Sequence, residues 1–280
     1  MRPSEVVARS ADYLARHGVE SPRESAEALL QFFLGTDRAG LYARTEGLDT
    51  RTAKLFGRAL CQRCHGVPLQ YLTGEQQFLD LVLGVAAGVF VPRPETEILV
   101  ERALETLEGI EAPLVADVGT GTGAVALAIK RRRQDASVYA TDISEEAVAV
   151  ARANASRHAL EVTVMRGDLL SPLPPECRNR FTLIVSNPPY VTREEYDSLP
   201  LEVKAEPYAA LVGGTDVHRR LIAEAPLWLR ADGWLVMELG AAQGEEVRRL
   251  FSERFEQVEV LPDLAGRDRV VRGRLRSRSP

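Results

Sequence analysis

The most specific chemistry in this 280-residue chain lies in four consecutive residues: Asn187, Pro188, Pro189 and Tyr190. They follow an apolar run, Phe181 to Ser186, that reads as a buried strand. The two prolines fix φ and remove two backbone N–H groups, leaving carbonyl oxygens with no competing local donor. The Asn187 side-chain oxygen is a second acceptor, and Tyr190 supplies a flat face. Two acceptors and a ring describe a receptor for a planar –NH2 group. Such a nitrogen is a poor nucleophile because its lone pair is delocalised. The chemistry is then positioning for in-line attack, helped by hydrogen bonds that strengthen as positive charge develops on nitrogen. It demands no strong base, and the motif offers none. Asn187, Pro188 and Tyr190 are the catalytic candidates, with Pro189 joining them in substrate binding. The plainer alternative is a proline-stiffened loop after a buried strand.

A second constellation lies upstream, in LVADVGTGTGAVALAIK. A strand runs into a turn, Gly119, Thr120, Gly121, Thr122 and Gly123, and the turn into a helix. Glycines let the backbone bend sharply and let a ligand approach without a Cβ in the way. The helix N-terminus then offers free N–H groups. Gly119, Gly121 and Ala124 also fit the looser dinucleotide pattern, so the glycines alone do not choose a ligand. Asp142, about twenty residues on, suits ribose hydroxyls and fits both a dinucleotide and S-adenosyl-L-methionine. Asp117, just before the glycines, suits a cationic ligand better than a pyrophosphate. Asp168, after the third strand, is placed to accept from an adenine amino group, with Leu169 covering the ring. Each acid alone reads as a strand-end cap. Together, at successive strand ends, they favour the methyl donor.

The elements that must position these residues follow from patterning. Residues 1 to about 73 read as helices with apolar faces, forming a small bundle. Ser21, Pro22 and Glu24 predict a capped helix start and Gly35 its end; another helix is expected from an Asp49 cap to Gly66. Residues 75–93 carry strand-like apolar residues broken by glycines, expected as a hairpin connecting two domains. From about residue 94, strands are expected at 114–118, 137–142, 161–167, 181–186, 233–239, 257–261 and 269–275. Helices are expected between the first five. That alternation predicts a mostly parallel, doubly wound sheet covered on both faces. The domain boundaries expected are 1–74, a linker at 75–93, and 94–280.

The composition is that of a globular chain: 45% hydrophobic, 27% charged, net charge −5. No apolar run approaches the roughly 20 residues of a membrane span. The first residues lack the basic start and apolar core of a signal peptide, and three cysteines form no disulfide-like framework. A cytoplasmic protein is expected. The acidic balance disfavours a phosphate backbone as partner. The closing stretch RDRVVRGRLRSRSP holds six arginines and reads as an edge strand followed by a charged tail.

The order of motifs resembles a known family. Asn187 to Tyr190 matches the motif of methyltransferases acting on amino groups of nucleobases and of glutamine. QYLTG (70–74), PRPETE (92–97), DVGTGTG (117–123), SNPPYV (186–191), EPYAALVGG (206–214), MELGAAQGEEV (237–247) and GRDRVV (266–271) occur in the order seen in the release-factor glutamine N5-methyltransferases. The resemblance covers nearly the whole chain. It implies a class I S-adenosyl-L-methionine-dependent fold, α/β, with a seven-stranded sheet, an antiparallel edge strand and an N-terminal helical substrate-recognition domain. It implies methylation of the glutamine in the Gly-Gly-Gln loop of a class 1 peptide chain release factor, with S-adenosyl-L-homocysteine as product. Separately from the resemblance, a monomer is the default expectation, and the acidic balance gives no reason to expect direct contact to nucleic acid. Cofactor contacts carry over to Gly119 through Gly123, Asp142, Leu169 and Asn187. Arg93 and Glu95 are expected to shape the pocket mouth. The stretch TDVHRRLI after Gly214 departs from the family pattern, so loop contacts at 215–220 do not carry over.

CQRCHG (61–66) matches the pattern of covalent haem attachment. It continues a helical pattern into a Gly66 stop and is read as a helix end, with His65 at the negative dipole end. His17, His158 and His218 are read as surface or helix-end residues. The rival functions are a nucleic-acid amino methyltransferase, a dinucleotide-dependent oxidoreductase and a non-catalytic adaptor. The first shares the whole site, the second leaves the Asn187 motif without a role, and the third leaves two intact sites unused.

Overall fold

A computed structural model describes residues 1–276. The chain divides into two compact units, one formed by Met1–Glu75 with Leu199–Ala205, the other by Gln76–Ser198 with the chain from Glu206 onward.

The first unit holds α1 (Pro3–Arg16), α2 (Pro22–Leu34), α3 (Arg38–Ala43), α4 (Thr50–Cys64) and α5 (Leu69–Thr73). Their apolar faces meet in one core of Val7, Leu14, Leu29, Leu30, Leu41, Phe56 and Leu60. Asp49 caps α4 as expected, accepting from the backbone of Arg51 and Thr52. Ser21 does not cap α2 with its side chain. Its φ of 47° lies outside the extended geometry that folds an N-cap side chain back on the first turn. The cysteine pair lies on the last turns of α4, and His65 ends that helix with its Nδ1 on the Cys61 carbonyl, 2.7 Å. Residues 199–205 join this unit. There the buried Arg63 pairs with Glu202, and Leu201 packs on Gly66.

The second unit opens with a hairpin, β1 (Glu75–Phe78) and β2 (Leu81–Gly84), followed by α6 (Glu95–Glu105). Then come β3 (Leu114–Val118), α7 (Ala124–Arg132), β4 (Ser137–Asp142), α8 (Glu145–Arg157), β5 (Val162–Arg166) and β6 (Phe181–Ser186). Three short helices follow, α9 (Arg193–Ser198), α10 (Leu201–Lys204, in the first unit) and α11 (Tyr208–Leu211). The chain closes with α12 (Asp216–Glu224), β7 (Leu229–Glu238), α13 (Gly244–Ser252), β8 (Phe255–Pro262) and β9 (Asp268–Leu275). Seven strands form one sheet in the order β5-β4-β3-β6-β7-β9-β8. The hairpin, α6, α7 and α8 bury one face; α12 and α13 bury the other. Phe78, Leu81 and Leu83 sit in that first core, so the hairpin is part of this unit's packing.

Two expectations change. No α-helix joins β5 to β6; a single 3-10 turn, Pro175–Cys177, stands there. Pro172, Pro174 and Pro175 deny that stretch the N–H groups and φ/ψ freedom a helix needs. The antiparallel strand is β9, and it is internal. It pairs with β7 on one side and β8 on the other, leaving β8 at the edge. The short connection from β8 to β9 dictates an antiparallel pair, and β9 inserts between its neighbours. Its arginines lie along the sheet in local pairs: Arg272 with Glu105 and Glu259, Arg274 with Asp232. The charged tail beyond residue 276 lies outside the described residues. No helix among the described residues is long and apolar enough to cross a membrane.

Candidate active site

The chain leaves β3 toward β4 on one side and returns through β6 on the other. The carboxyl ends of β3 and β6 therefore flank the point where strand order reverses, the usual ligand crevice of such sheets. Val118, the last residue of β3, pairs with both Thr141 and Ser186. Ser186 Oγ donates to the Val118 carbonyl at 2.7 Å. That register sets Asn187 beside Gly119. A Cβ on Gly119 would stand 4.0 Å from the Asn187 carbonyl oxygen.

The glycine turn hangs on its neighbours. Gly119 and Thr120 both donate their backbone N–H to the Thr141 carbonyl, at 2.8 and 2.9 Å. Asp142 Oδ2 accepts from the Gly121 backbone at 2.8 Å, and Oδ1 accepts from Ser144. Burial raises the Asp142 pKa, against the pull of these backbone bonds. Asp117 is turned inward. Its Oδ2 accepts from the Thr120 hydroxyl and the Ala126 backbone, and it is 1% exposed. Burial pushes its carboxyl up to about 7, with the Asp142 charge adding to the rise. Asp117 thus braces the turn and the start of α7, rather than presenting its carboxylate outward as the sequence suggested. Gly121, at φ 57°, has no heavy atom within 4 Å of where a Cβ would stand. The Thr122 hydroxyl is buried without a hydrogen-bond partner among the described residues. A backbone floor open at Gly121, an unmet hydroxyl and an acid at the next strand end fit S-adenosyl-L-methionine.

The other expected donor-side residues are placed less uniformly. Leu169, at φ 48°, is half-buried, and its carbonyl accepts from the Thr141 hydroxyl at 2.8 Å. Asp168 is exposed and paired with Arg220, so a ligand's amino group would have to share it with that guanidinium.

On the acceptor side, Asn187 Nδ2 donates to Thr96 Oγ1 at 3.0 Å. With the nitrogen engaged there, the amide oxygen is the group turned away from Thr96. Tyr190 is held at both ends. Its hydroxyl donates to Glu238 Oε1 at 3.1 Å, and its carbonyl accepts from Gln243 Nε2 at 2.8 Å. Burial, then the nearby Glu238 charge, pushes the phenol pKa far up, so the ring stays neutral and its hydroxyl stays a donor. Glu238 ends β7 fully buried. Burial pushes its carboxyl up to about 7 against the Thr96 and Tyr190 hydroxyls and the Arg269 charge, while Glu95 adds to the rise.

Sequence reasoning missed Thr96, Glu238, Gln243 and Asn154. Thr96 lies within PRPETE, and Glu238 and Gln243 within MELGAAQGEEV, so the motifs marked the stretches but not the partner of each side chain. Asn154 on α8 is 1% exposed and ties the glycine turn to the hairpin, donating to the Thr122 and Gly84 carbonyls. His218 is not a surface residue. It is fully buried, and its Nε2 donates to the Glu238 carbonyl at 2.8 Å. Burial lowers its pKa and keeps it neutral. Arg93 pairs with the buried Glu206, which also accepts from the Val91 backbone, and Glu95 is exposed. After Tyr190, a cleft of about 290 Å³ is lined by Val191, Arg193, Tyr208, Val212 and Gly213.

Comparisons with known proteins bear on the family and the fold. Residues 87–202 match the methyltransferase small domain and residues 5–74 the PrmC N-terminal domain. A release factor glutamine methyltransferase of Moorella thermoacetica is 42% identical, over 91% of this chain and 92% of its own. That of Deinococcus radiodurans is 39% identical, over 98% of this chain and 99% of its own. Among solved structures, a T. thermophilus 16S rRNA N2 methyltransferase in complex with AdoMet and guanosine superposes with a TM-score of 0.55 at 23% identity. It spans 72% of this chain and 50% of that one, and at that identity it speaks to the fold alone.

Proposed function

The chain belongs to the release factor glutamine methyltransferases, and on that premise we propose how its residues divide the work. The enzyme transfers a methyl group from S-adenosyl-L-methionine to the side-chain amide nitrogen of a release-factor glutamine. The substrate is the glutamine of the Gly-Gly-Gln loop of a class 1 factor. When bound, the donor supplies a methyl group on a sulfonium and a good leaving group. Gly119 to Gly123 approach it through backbone, Asp142 accepts from its ribose hydroxyls, and Asp168 and Leu169 border its adenine.

Asn187 Oδ1 and the Pro188 carbonyl accept the two N–H bonds of the glutamine amide. Tyr190 lies against the amide plane, and Pro189 stiffens the turn. Held in this way, the nitrogen keeps one orientation, and its acceptors gain strength as charge develops on it. The cleft of Val191, Arg193, Tyr208, Val212 and Gly213 takes the glycine-rich chain beside the glutamine, which is slender enough for a narrow slot. Residues 1–75 with 199–205 recognise the release factor, and the second unit, the hairpin included, carries the chemistry. The enzyme works as a monomer in the cytoplasm, without direct contact to nucleic acid.

The observation that carries this reading is the Asn187 amide, fixed by Thr96 with its oxygen turned away, beside the glycine turn. The test is mass spectrometry of a class 1 release factor incubated with this protein and S-adenosyl-L-methionine. One added methyl on the loop glutamine is expected. An unmodified factor, under conditions where the donor binds, would overturn the substrate assignment.

A further inference from the structure

Two motifs of this chain meet at a carboxylate that the methyl transfer itself does not use. Glu206, which opens EPYAALVGG, is 4% exposed. Both of its oxygens are answered. Oε2 accepts from the Val91 backbone at 2.9 Å, and Oε1 pairs with Arg93 of PRPETE. The Arg93 guanidinium also lies over the Phe90 ring, 5.2 Å from its centroid. Separating such a pair would leave a buried charge unanswered, so the start of residues 206–214 is pinned to residues 90–93. The far end is pinned to the turn after β6. The Leu211 carbonyl accepts from the Val191 backbone at 2.9 Å, and the backbones of Gly213 and Gly214 donate to the Val191 carbonyl at 3.1 and 3.2 Å. A Cβ on Gly213 would stand 2.4 Å from the Pro189 carbonyl oxygen. That neighbour is backbone, so no rotamer relieves the clash, and only glycine lets the segment lie so close.

We propose that Glu206 and Gly213 are positioning residues that decide which loops the enzyme accepts: they hold residues 206–214 as a strap on the Asn187 to Tyr190 turn, at the distance that admits a chain with no side chain beside the reacting glutamine. The inference rests on the reading that the cleft after Tyr190 takes the glycine-rich chain. The strap is one wall of that cleft, through Tyr208, Val212 and Gly213, and Val191 and Arg193 stand on the other. The Tyr208 ring meets the Tyr196 ring edge-on at 4.9 Å, which braces the wall between its two anchors. Both backbone groups of Val191 are bonded to the strap, so the walls part only by breaking those hydrogen bonds.

Glycine beside the glutamine is then selected by exclusion. A methyl group at that position needs room that the strap takes up. Loosening the root at Glu206, or pushing the strap off Pro189 with a side chain at residue 213, widens the cleft. The same movement shifts the Pro189 backbone, and with it the Pro188 carbonyl that receives the amide. Either change therefore slows the reaction on the proper loop and raises tolerance of the wrong one. A variant that is merely less stable has fewer active molecules. That lowers the rates on both loops by one factor and leaves their ratio alone.

The test uses the full-length enzyme, S-adenosyl-L-methionine, and a class 1 release factor whose loop reads either Gly-Gly-Gln or Gly-Ala-Gln, with kcat/KM measured on each. The wild type prefers Gly-Gly-Gln by roughly 10- to 200-fold, the range for one carbon in a shaped pocket. Glu206→Gln keeps an acceptor for the Val91 backbone and removes the charge that holds Arg93. It lowers kcat/KM on Gly-Gly-Gln by about 10-fold and reduces the preference for glycine by a similar factor. Gly213→Ala does the same, and calorimetry finds the donor affinity of both variants unchanged. Gly213→Ala decides the matter if Glu206→Gln does not fold. Variants that keep the wild-type preference, whatever their rate, overturn the role of the strap, and so does a wild type that methylates both loops alike. Either result leaves the methylation of the loop glutamine standing. A wild type that leaves the Gly-Gly-Gln factor unmodified overturns that reading, and the strap falls with it.

Discussion

The two sides of the proposed active site are supported from different distances along the chain. On the donor side Asp117 holds Thr120 and Ala126, three and nine residues on, and Asp142 holds Gly121, twenty-one residues back. On the acceptor side Asn187 leans on Thr96, ninety-one residues back, and Tyr190 on Glu238 and Gln243, 48 and 53 residues on. The donor cradle is mostly backbone, shaped by β3, the turn after it, the start of α7 and the end of β4. The acceptor is mostly side chain, and its orientation exists only once α6, β6 and β7 have come together. Backbone cradles tolerate loss of a supporting side chain by degrees. A side-chain receptor fails when a single amide or hydroxyl turns.

That contrast breaks most sharply at Asn187. Asn187→Ala should lower the methylation rate by about 100- to 1,000-fold, the loss seen when one preorganised hydrogen-bonding group is removed from a transition-state site. Calorimetry should find donor affinity nearly intact. Equal losses on both measures would mean that the two sides are not separable.

Next in size is the pH dependence of Asp117, measured without ligand. Its folded pKa, about 7, lies above the unfolded value near 4. Below about pH 4 the group is protonated in both states and its contribution to stability is full. As pH rises the unfolded chain ionises first, so that contribution is lost until about pH 7 and is absent above it. Relative to Asp117→Asn, the wild type should lose stability at up to about 1.4 kcal/mol per pH unit across that window. Urea unfolding at several pH values reads it. A pH-independent difference between the two proteins would place the carboxyl in water.

Asp142→Ala tests the donor side directly. Loss of a charge-assisted acceptor should weaken S-adenosyl-L-methionine binding by about 1–3 kcal/mol, with kcat at saturating donor little changed. Unchanged affinity would move the ribose site elsewhere. The smallest effect is expected at Gln243, which holds the Tyr190 carbonyl and the Gly240 backbone. Gln243→Ala should lower stability by about 1 kcal/mol, as for one net hydrogen bond, read by thermal unfolding. A fall in kcat as large as that of Asn187→Ala would make it part of the receptor.

The same difference in range governs what the sequence could reveal. The glycine turn, the strand before it and Asp142 follow from local pattern, and so does the Asn187 to Tyr190 turn. The helical first unit was legible in its apolar faces and in the Asp49 cap. Thr96, Glu238 and Gln243 were not, because nothing in a threonine on a helix or a glutamate ending a strand says what it will meet. His218 was misread for the same reason: a lone histidine reveals its burial only when the strand beside it is known. Asp117 was given an outward role because strand-end acids usually face the ligand crevice; its neighbours Thr120 and Ala126 claimed it first. The place of β9 eluded patterning too, since apolar alternation gives a strand but not its position in the order.

The short return of residues 199–205 to the helical unit bears on how this protein is made and how it can be cut. Translation delivers the first 75 residues long before the segment that completes them. Until Glu202 emerges, the buried Arg63 lacks its counter-charge, and Gly66 lacks the Leu201 that packs on it. A fragment ended at residue 75 carries that same gap permanently. Exchanging the helical unit between relatives therefore requires two grafts, one at each end of the methyltransferase sequence that separates its pieces.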